Sequence, residues 1–127
     1  MSTTYDGIEQ LANEGAFTYK GVAFNGHETG SLSYTVDFGT KEGWGMITGI
    51  SGTGNITMKK APITNLDNEV VTGLGIEGKA VFQKYPTITG NYELGFFGPK
   101  AEEIAGRVSD ENDWYSDLNE IGFGGRR

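Results

Sequence analysis

The chain has 127 residues, no cysteine and a net charge of −7. One domain is expected at this length, burying about two thirds of its surface without disulfides. The missing thiols exclude zinc ribbons, cysteine nucleophiles and disulfide scaffolds, though not an oxidising compartment. The acidity argues against binding nucleic-acid phosphates or anionic membranes.

Residues 1–14 read as a lead-in segment, with one helical turn expected around Ile8 and Leu11. Met1-Ser2-Thr3-Thr4 has neither the basic segment nor the apolar stretch of a signal peptide. No apolar run approaches the ~20 residues of a transmembrane helix. The chain therefore reads either as a cytoplasmic protein or as one domain of a longer exported one. Residues 15–127 form the domain itself. Its 21 glycines, far above the usual share of about 7%, are scattered among aromatic and β-branched residues. They mark turns, bulges and barrel bends.

The first strand spans Ala16 to Asn25, with Phe17, Tyr19, Val22 and Phe24 as its large residues. The phase slip at Lys20-Gly21 predicts a glycine bulge. Asn25-Gly26 is a turn signal. In Ser31 to Phe38, Leu32, Tyr34, Val36 and Phe38 alternate with Ser31, Ser33, Thr35 and Asp37, so one face is core and the other water. Trp44 to Ile50 is the third strand, anchored by Trp44, Met46 and Ile50, with Trp44 assigned to the core. Asn55 to Lys60 is the fourth, followed by an irregular stretch from Pro62 to Asn68. Val70 to Gln83 is the fifth. Lys84-Tyr85-Pro86-Thr87 turns into the sixth, Asn91 to Phe97. Gly98-Pro99 breaks that strand, and Pro99 suits the start of a one-turn helical corner, Pro99-Glu103. Ile104 to about Asp110 is the seventh strand, Glu111 to Leu118 a polar loop, and Asn119 to Gly125 the eighth. The fold expected is all-β: a single eight-stranded antiparallel up-and-down β-barrel.

Gly95-Phe96-Phe97-Gly98-Pro99-Lys100-Ala101-Glu102-Glu103-Ile104-Ala105-Gly106 resembles the corner in the C-terminal barrel of bacterial surface lipoproteins. That group includes transferrin-binding protein B, the neisserial heparin-binding antigen and factor H binding protein. Tyr19-Lys20-Gly21-Val22-Ala23-Phe24, Gly30 to Phe38 and Ile121-Gly122-Phe123-Gly124-Gly125-Arg126-Arg127 follow in the expected order. Together they look most like the factor H binding protein barrel, over residues 15–127. The resemblance implies a non-catalytic, monomeric domain at the bacterial outer-membrane surface, held there by a lipid anchor that this chain lacks. It implies a host serum protein as partner: complement factor H, for immune evasion, or an iron-carrying protein. In the family's factor H binder, acidic residues on the hairpin before the sixth strand and on the seventh strand contribute to the partner surface. The matching places here hold Ile88 and Ser109, with Asp110 and Glu111 beside them.

No catalytic constellation is present in the sequence. The lone histidine, His27, is a metal or haem ligand or simply an exposed residue of a polar turn; without Cys or clustered carboxylates near it, the second reading is favoured. Asp110, Glu111, Asp113, Asp117 and Glu120 lack the glycine of a calcium loop. Glu102 and Glu103 are adjacent and do not flank a substrate. Gly52-Thr53-Gly54 and Gly73-Leu74-Gly75 are not followed by the helix of a phosphate loop. No cofactor is expected. Binding candidates are the loop aromatics Trp114 and Tyr115 with Asp110, Glu111 and Asp113, then Tyr85 and Pro86 at a hairpin tip. A carrier with an interior ligand is disfavoured, since Phe17, Phe24, Tyr34, Phe38, Phe82, Tyr92 and Phe96 would fill so small a barrel. An outer-membrane pore is excluded, because alternate strand faces carry Ser, Thr, Asp, Lys and Gly where a lipid-facing apolar band would be needed.

Overall fold

The structure, a computed structural model, describes residue 11 and residues 14–67, 72–110 and 121–127. Eight strands run in chain order: β1 (Ala16–Phe24), β2 (Thr29–Asp37), β3 (Glu42–Thr48), β4 (Ile56–Asp67), β5 (Thr72–Phe82), β6 (Tyr85–Phe97), β7 (Glu103–Asp110) and β8 (Ile121–Arg126). Each pairs antiparallel with the next, and β8 returns to β1 to close the barrel. This is the meander expected from the alternating pattern.

The interior is packed with side chains. Tyr19, Tyr34, Tyr92, Phe38, Phe82 and Phe96 are its largest fully buried members, with Ile47, Ile50, Ile56, Met58 and Ile76. Their rings meet in tilted or edge-on pairs, with centroids 5.9 Å apart in Tyr34–Tyr92 and Phe38–Phe96, the geometry that ring quadrupoles favour. Leu11 of the lead-in is also buried in this core.

Two strands present the opposite face from the one their large residues suggest. β1 carries no bulge: its register with β2 and with β8 runs without a shift. Period two then places Phe17, Tyr19, Gly21 and Ala23 inward, and Val22 and Phe24 outward at 51% and 49% exposure. The slot at Gly21 has no room for a side chain, because a Cβ there would lie 1.9 Å from the Gly124 carbonyl oxygen of β8. Phe24 instead lies outside, with its ring over Gly122. In β3 the inward positions are Gly43, Gly45 and Ile47, and Trp44 is 38% exposed. A Cβ on Gly43 or Gly45 would meet the Tyr34 ring at 2.7 or 2.5 Å. The tyrosine of β2 fills the space that its neighbour leaves bare, which forces Trp44 to the outer face.

β4 continues through Pro62 to Asp67, a stretch expected to be irregular, and the irregularity falls just before it, at a bulge. Gly43 pairs with Ala61 and Gly45 with Met58, so Lys59 and Lys60 together oppose Trp44. Against β5 the ladder stops after Met58 and resumes at Ile63. Pro62, which has no N–H, sits in the part that does not pair with β5. β6 begins at Tyr85, so the hairpin turn is Gln83-Lys84.

The corner after β6 is a turn, not a helical one. Ala101 N–H donates to the Gly98 carbonyl at 3.3 Å, and both Gly98 (φ 91°) and Ala101 (φ 55°) are left-handed. A right-handed helical turn cannot contain a left-handed Ala101. Tertiary contacts hold it: Ala101 is buried, and its carbonyl accepts the Tyr19 hydroxyl at 2.5 Å and Arg127 Nε at 3.3 Å. Arg127 also donates to the Lys100 carbonyl and lies over the Phe17 ring, 4.5 Å from its centroid.

Candidate functional site

Strand direction alternates around the barrel, so the connections after β1, β3, β5 and β7 share one end. Of the binding candidates read from the sequence, Tyr85, Pro86 and Asp110 fall among the described residues, and they stand at that end with His27. His27 lies between β1 and β2, and Tyr85 and Pro86 open β6. Asp110 closes β7, and residues 111–120 join β7 to β8. Period-two alternation could not show this gathering; the closed topology does.

The loops at this end are tied to one another. Asn25 Oδ1 accepts the backbone N–H groups of His27 and Glu28, both at 2.8 Å, the local turn its side chain favours. The Glu28 carboxylate crosses to the β3–β4 loop, accepting Ser51 Oγ at 2.6 Å, Ser51 N–H at 3.1 Å and Gly52 N–H at 3.2 Å. These donors, the Ser51 hydroxyl foremost, hold its carboxyl below the ordinary carboxylate value. Lys84 Nζ donates to the Ser51 carbonyl. Gln83 Oε1 accepts Asn55 N–H at 2.9 Å, Gln83 N–H donates to Asn55 at 2.9 Å, and Lys84 N–H donates to Thr53 at 3.0 Å. Three loops thus form one hydrogen-bonded rim.

On this rim His27 and Pro86 are exposed, and Tyr85 is half-buried against the core. Asp110 is 7% exposed and faces Gly90 across the ladder. Trp114, Tyr115, Glu111 and Asp113 lie outside the described residues, as do Asp117 and Glu120. Ile88 is half-buried against the core, and Ser109 lies on the barrel wall. Among the described residues no group of three or more His, Cys, Asp or Glu could hold a metal ion.

A second feature was missed by the sequence reading. Below the rim, a groove of about 600 Å³ crosses the outer wall from β4 to β7. Its cations are Lys59, Lys60, Lys79 and Arg107, and its carboxylates Glu77 and Glu93. Arg107 Nε pairs with Glu93 at 2.9 Å, Lys79 Nζ donates to Asn91 at 2.9 Å, and Lys60 Nζ stands 5.0 Å from the centroid of the Trp44 ring. Beneath the break in the β4–β5 ladder, Tyr92 donates its hydroxyl proton to the Lys59 carbonyl at 2.5 Å. That leaves Tyr34 as donor in the 2.9 Å bond between the two tyrosine hydroxyls. Burial pushes the Tyr34 phenol well up and that of Tyr92 to about 12. The adjacent pair Lys59-Lys60 was the available signal: two consecutive polar residues inside an alternating strand mark a bulge.

The family model described as Factor H binding protein, C-terminal, matches residues 9–108. The chain belongs to this family. The matched part runs from the lead-in into β7; β8, which closes the family's barrel here, lies beyond it. Among solved structures, the fold is similar to that of HpuA from Kingella denitrificans in complex with human haemoglobin. The TM-score is 0.68 at 23% identity, covering 99% of this chain and 47% of that one. The apo haemoglobin receptor HpuA from the same organism matches at TM-score 0.61 and 25% identity, covering 89% of this chain and 42% of that one. Transferrin binding protein B from serogroup B Neisseria meningitidis matches at TM-score 0.62 and 21% identity, covering 100% of this chain and 27% of that one. The family's barrel here therefore spans less than half the length of these solved chains.

Proposed function

We propose that this barrel is a protein-binding domain of a bacterial surface lipoprotein, that it captures a host serum protein, and that it acts by binding and not by catalysis. The observation that carries the reading is the family match over residues 9–108. The filled interior supports it, because recognition must then use the outer surface and the loops. The contact surface is the end of the barrel that carries the stitched rim, together with the β7–β8 connection. Trp114 and Tyr115 supply aromatic anchors, Asp110, Glu111 and Asp113 the acidic surround, and Tyr85 and Pro86 the neighbouring hairpin. A rim held by cross-loop hydrogen bonds loses little freedom on binding, which favours affinity. The domain works as a monomer at the outer-membrane surface, carried by a lipid anchor.

Complement factor H is the first partner, from the family. An iron-carrying protein is the second, favoured by the likeness to a haemoglobin receptor across 89–99% of the chain. Direct haem ligation by His27 is a narrower form of that second reading, and a Soret band lost in His27→Ala would support it. The experiment is a pull-down from human serum, and separately from haemoglobin, on the immobilised domain and its Trp114→Ala/Tyr115→Ala variant. Capture of factor H, lost in the variant, supports the first reading; capture of haemoglobin or transferrin supports the second. Capture of none of them by the folded domain counts against both.

A further inference from the structure

The wall groove has a charge opposite to that of the chain. Four cations and two carboxylates line it, in a protein of net charge −7. The bulge produces this excess. A regular strand would send Lys59 and Lys60 to opposite faces, whereas the bulged strand turns both outward and opposes both to Trp44. Among the described residues, Arg107 alone of the four cations is ion-paired with a carboxylate. Lys60 is held over Trp44 and Lys79 against Asn91, so their ammonium groups are placed before any ligand arrives. The Tyr34–Tyr92–Lys59 hydrogen-bond chain fixes the groove floor from inside.

We propose that the groove docks an extended acidic segment of a polypeptide partner. The spacing fits such a segment. β4 to β7 covers three strand separations of about 4.8 Å each, or about 14 Å. An extended chain covers that in four to five residues at about 3.3 Å per residue, enough for carboxylates at alternate positions. Next to the groove, and sharing Lys59 and Lys60 with it, is a shallower depression holding the exposed Trp44 and Met46. This gives an apolar seat for a side chain at one end of the segment. Glu77 and Glu93 along the groove accept hydrogen bonds, which suits backbone N–H groups and works against a continuously charged polyanion such as a sulfated glycan. In the host-binding reading the segment belongs to the captured protein; the inference deepens that reading by naming the partner's chemistry.

The test uses a fluorescent synthetic peptide in which Glu alternates with Thr around a central Phe, titrated into the domain by anisotropy. A Gln-for-Glu peptide and heparin serve as parallel probes. The acidic peptide binds, more weakly as salt rises. Lys59→Gln/Lys60→Gln/Lys79→Gln weakens it by about tenfold or more, Arg at the same three positions keeps it, and Val22→Ser/Phe24→Ser on the opposite wall leaves it unchanged. The Gln peptide does not bind. No binding by the wild type, equal binding by the triple Gln variant, or heparin binding as tight as the peptide's overturns the proposal. Serum capture by the triple Gln variant separates the two readings. If the host protein is captured as well as by the wild type, the groove is not its contact while the host-binding reading stands.

Discussion

Tyr92 is where the inside of the barrel meets its outer wall. Its ring fills the core beside Tyr34 and over Gly78, and its hydroxyl ties the bulged backbone at Lys59. Tyr92→Phe keeps the ring but leaves the Lys59 carbonyl and the Tyr34 hydroxyl short of a partner. The expected loss is about 1–3 kcal/mol, read as a lower urea midpoint at unchanged slope. Gly43→Ala pushes a Cβ to 2.7 Å from the Tyr34 ring and 2.8 Å from Ile76, an overpacking expected to cost about 1–3 kcal/mol in the same measurement. Trp44 tests the same packing from outside. Being 38% exposed, its replacement by Ala should cost less than about 1.5 kcal/mol, against about 3–5 for a core tryptophan.

The segments β1, β3, β4 and the corner show which parts of the fold were legible. β2 alternates cleanly, and Leu32, Tyr34, Val36 and Phe38 are all buried as read. β1 and β3 misled because inward positions hold glycines, and the space each leaves is taken by a neighbouring strand, the β8 backbone at Gly21 and the Tyr34 ring of β2 at Gly43 and Gly45. Size alone then points to the wrong face. The β4 bulge left only a local trace, the consecutive lysines Lys59-Lys60; its place in the ladder is fixed by the pairing with β3. The corner read as a helical turn because Pro99 and Glu102 suit one locally, while the contacts that override it come from Tyr19 and Arg127. Arg127→Ala removes the guanidinium from the Ala101 and Lys100 carbonyls and from the Phe17 ring. A loss of about 1–2 kcal/mol in urea unfolding is expected, since charged hydrogen bonds exceed neutral ones. The candidates were readable as residue types; that Tyr85, Pro86 and Asp110 share one end with His27 required the closed order of strands.

At the scale of the whole molecule, three buried phenols link stability to alkaline pH. Burial pushes Tyr19 and Tyr92 from 10.0 up to about 12, and Tyr34 further in the same direction. The folded state therefore favours the neutral phenol. Its contribution is complete below the unfolded value near 10 and is lost as pH rises through the folded values. Unfolding free energy should fall from about pH 10 to 12, as the phenols ionise in the unfolded chain while the buried ones stay neutral. Unchanged stability across that range would contradict the buried cluster. The barrel, its filled core and its tied rim form a rigid support for recognition at its surface. The most direct test is the pull-down from human serum and haemoglobin on the intact domain beside Trp114→Ala/Tyr115→Ala. Capture of factor H or an iron-carrying protein by the wild type, with loss in the folded variant, is the result predicted; a folded wild type that captures none of these would contradict it.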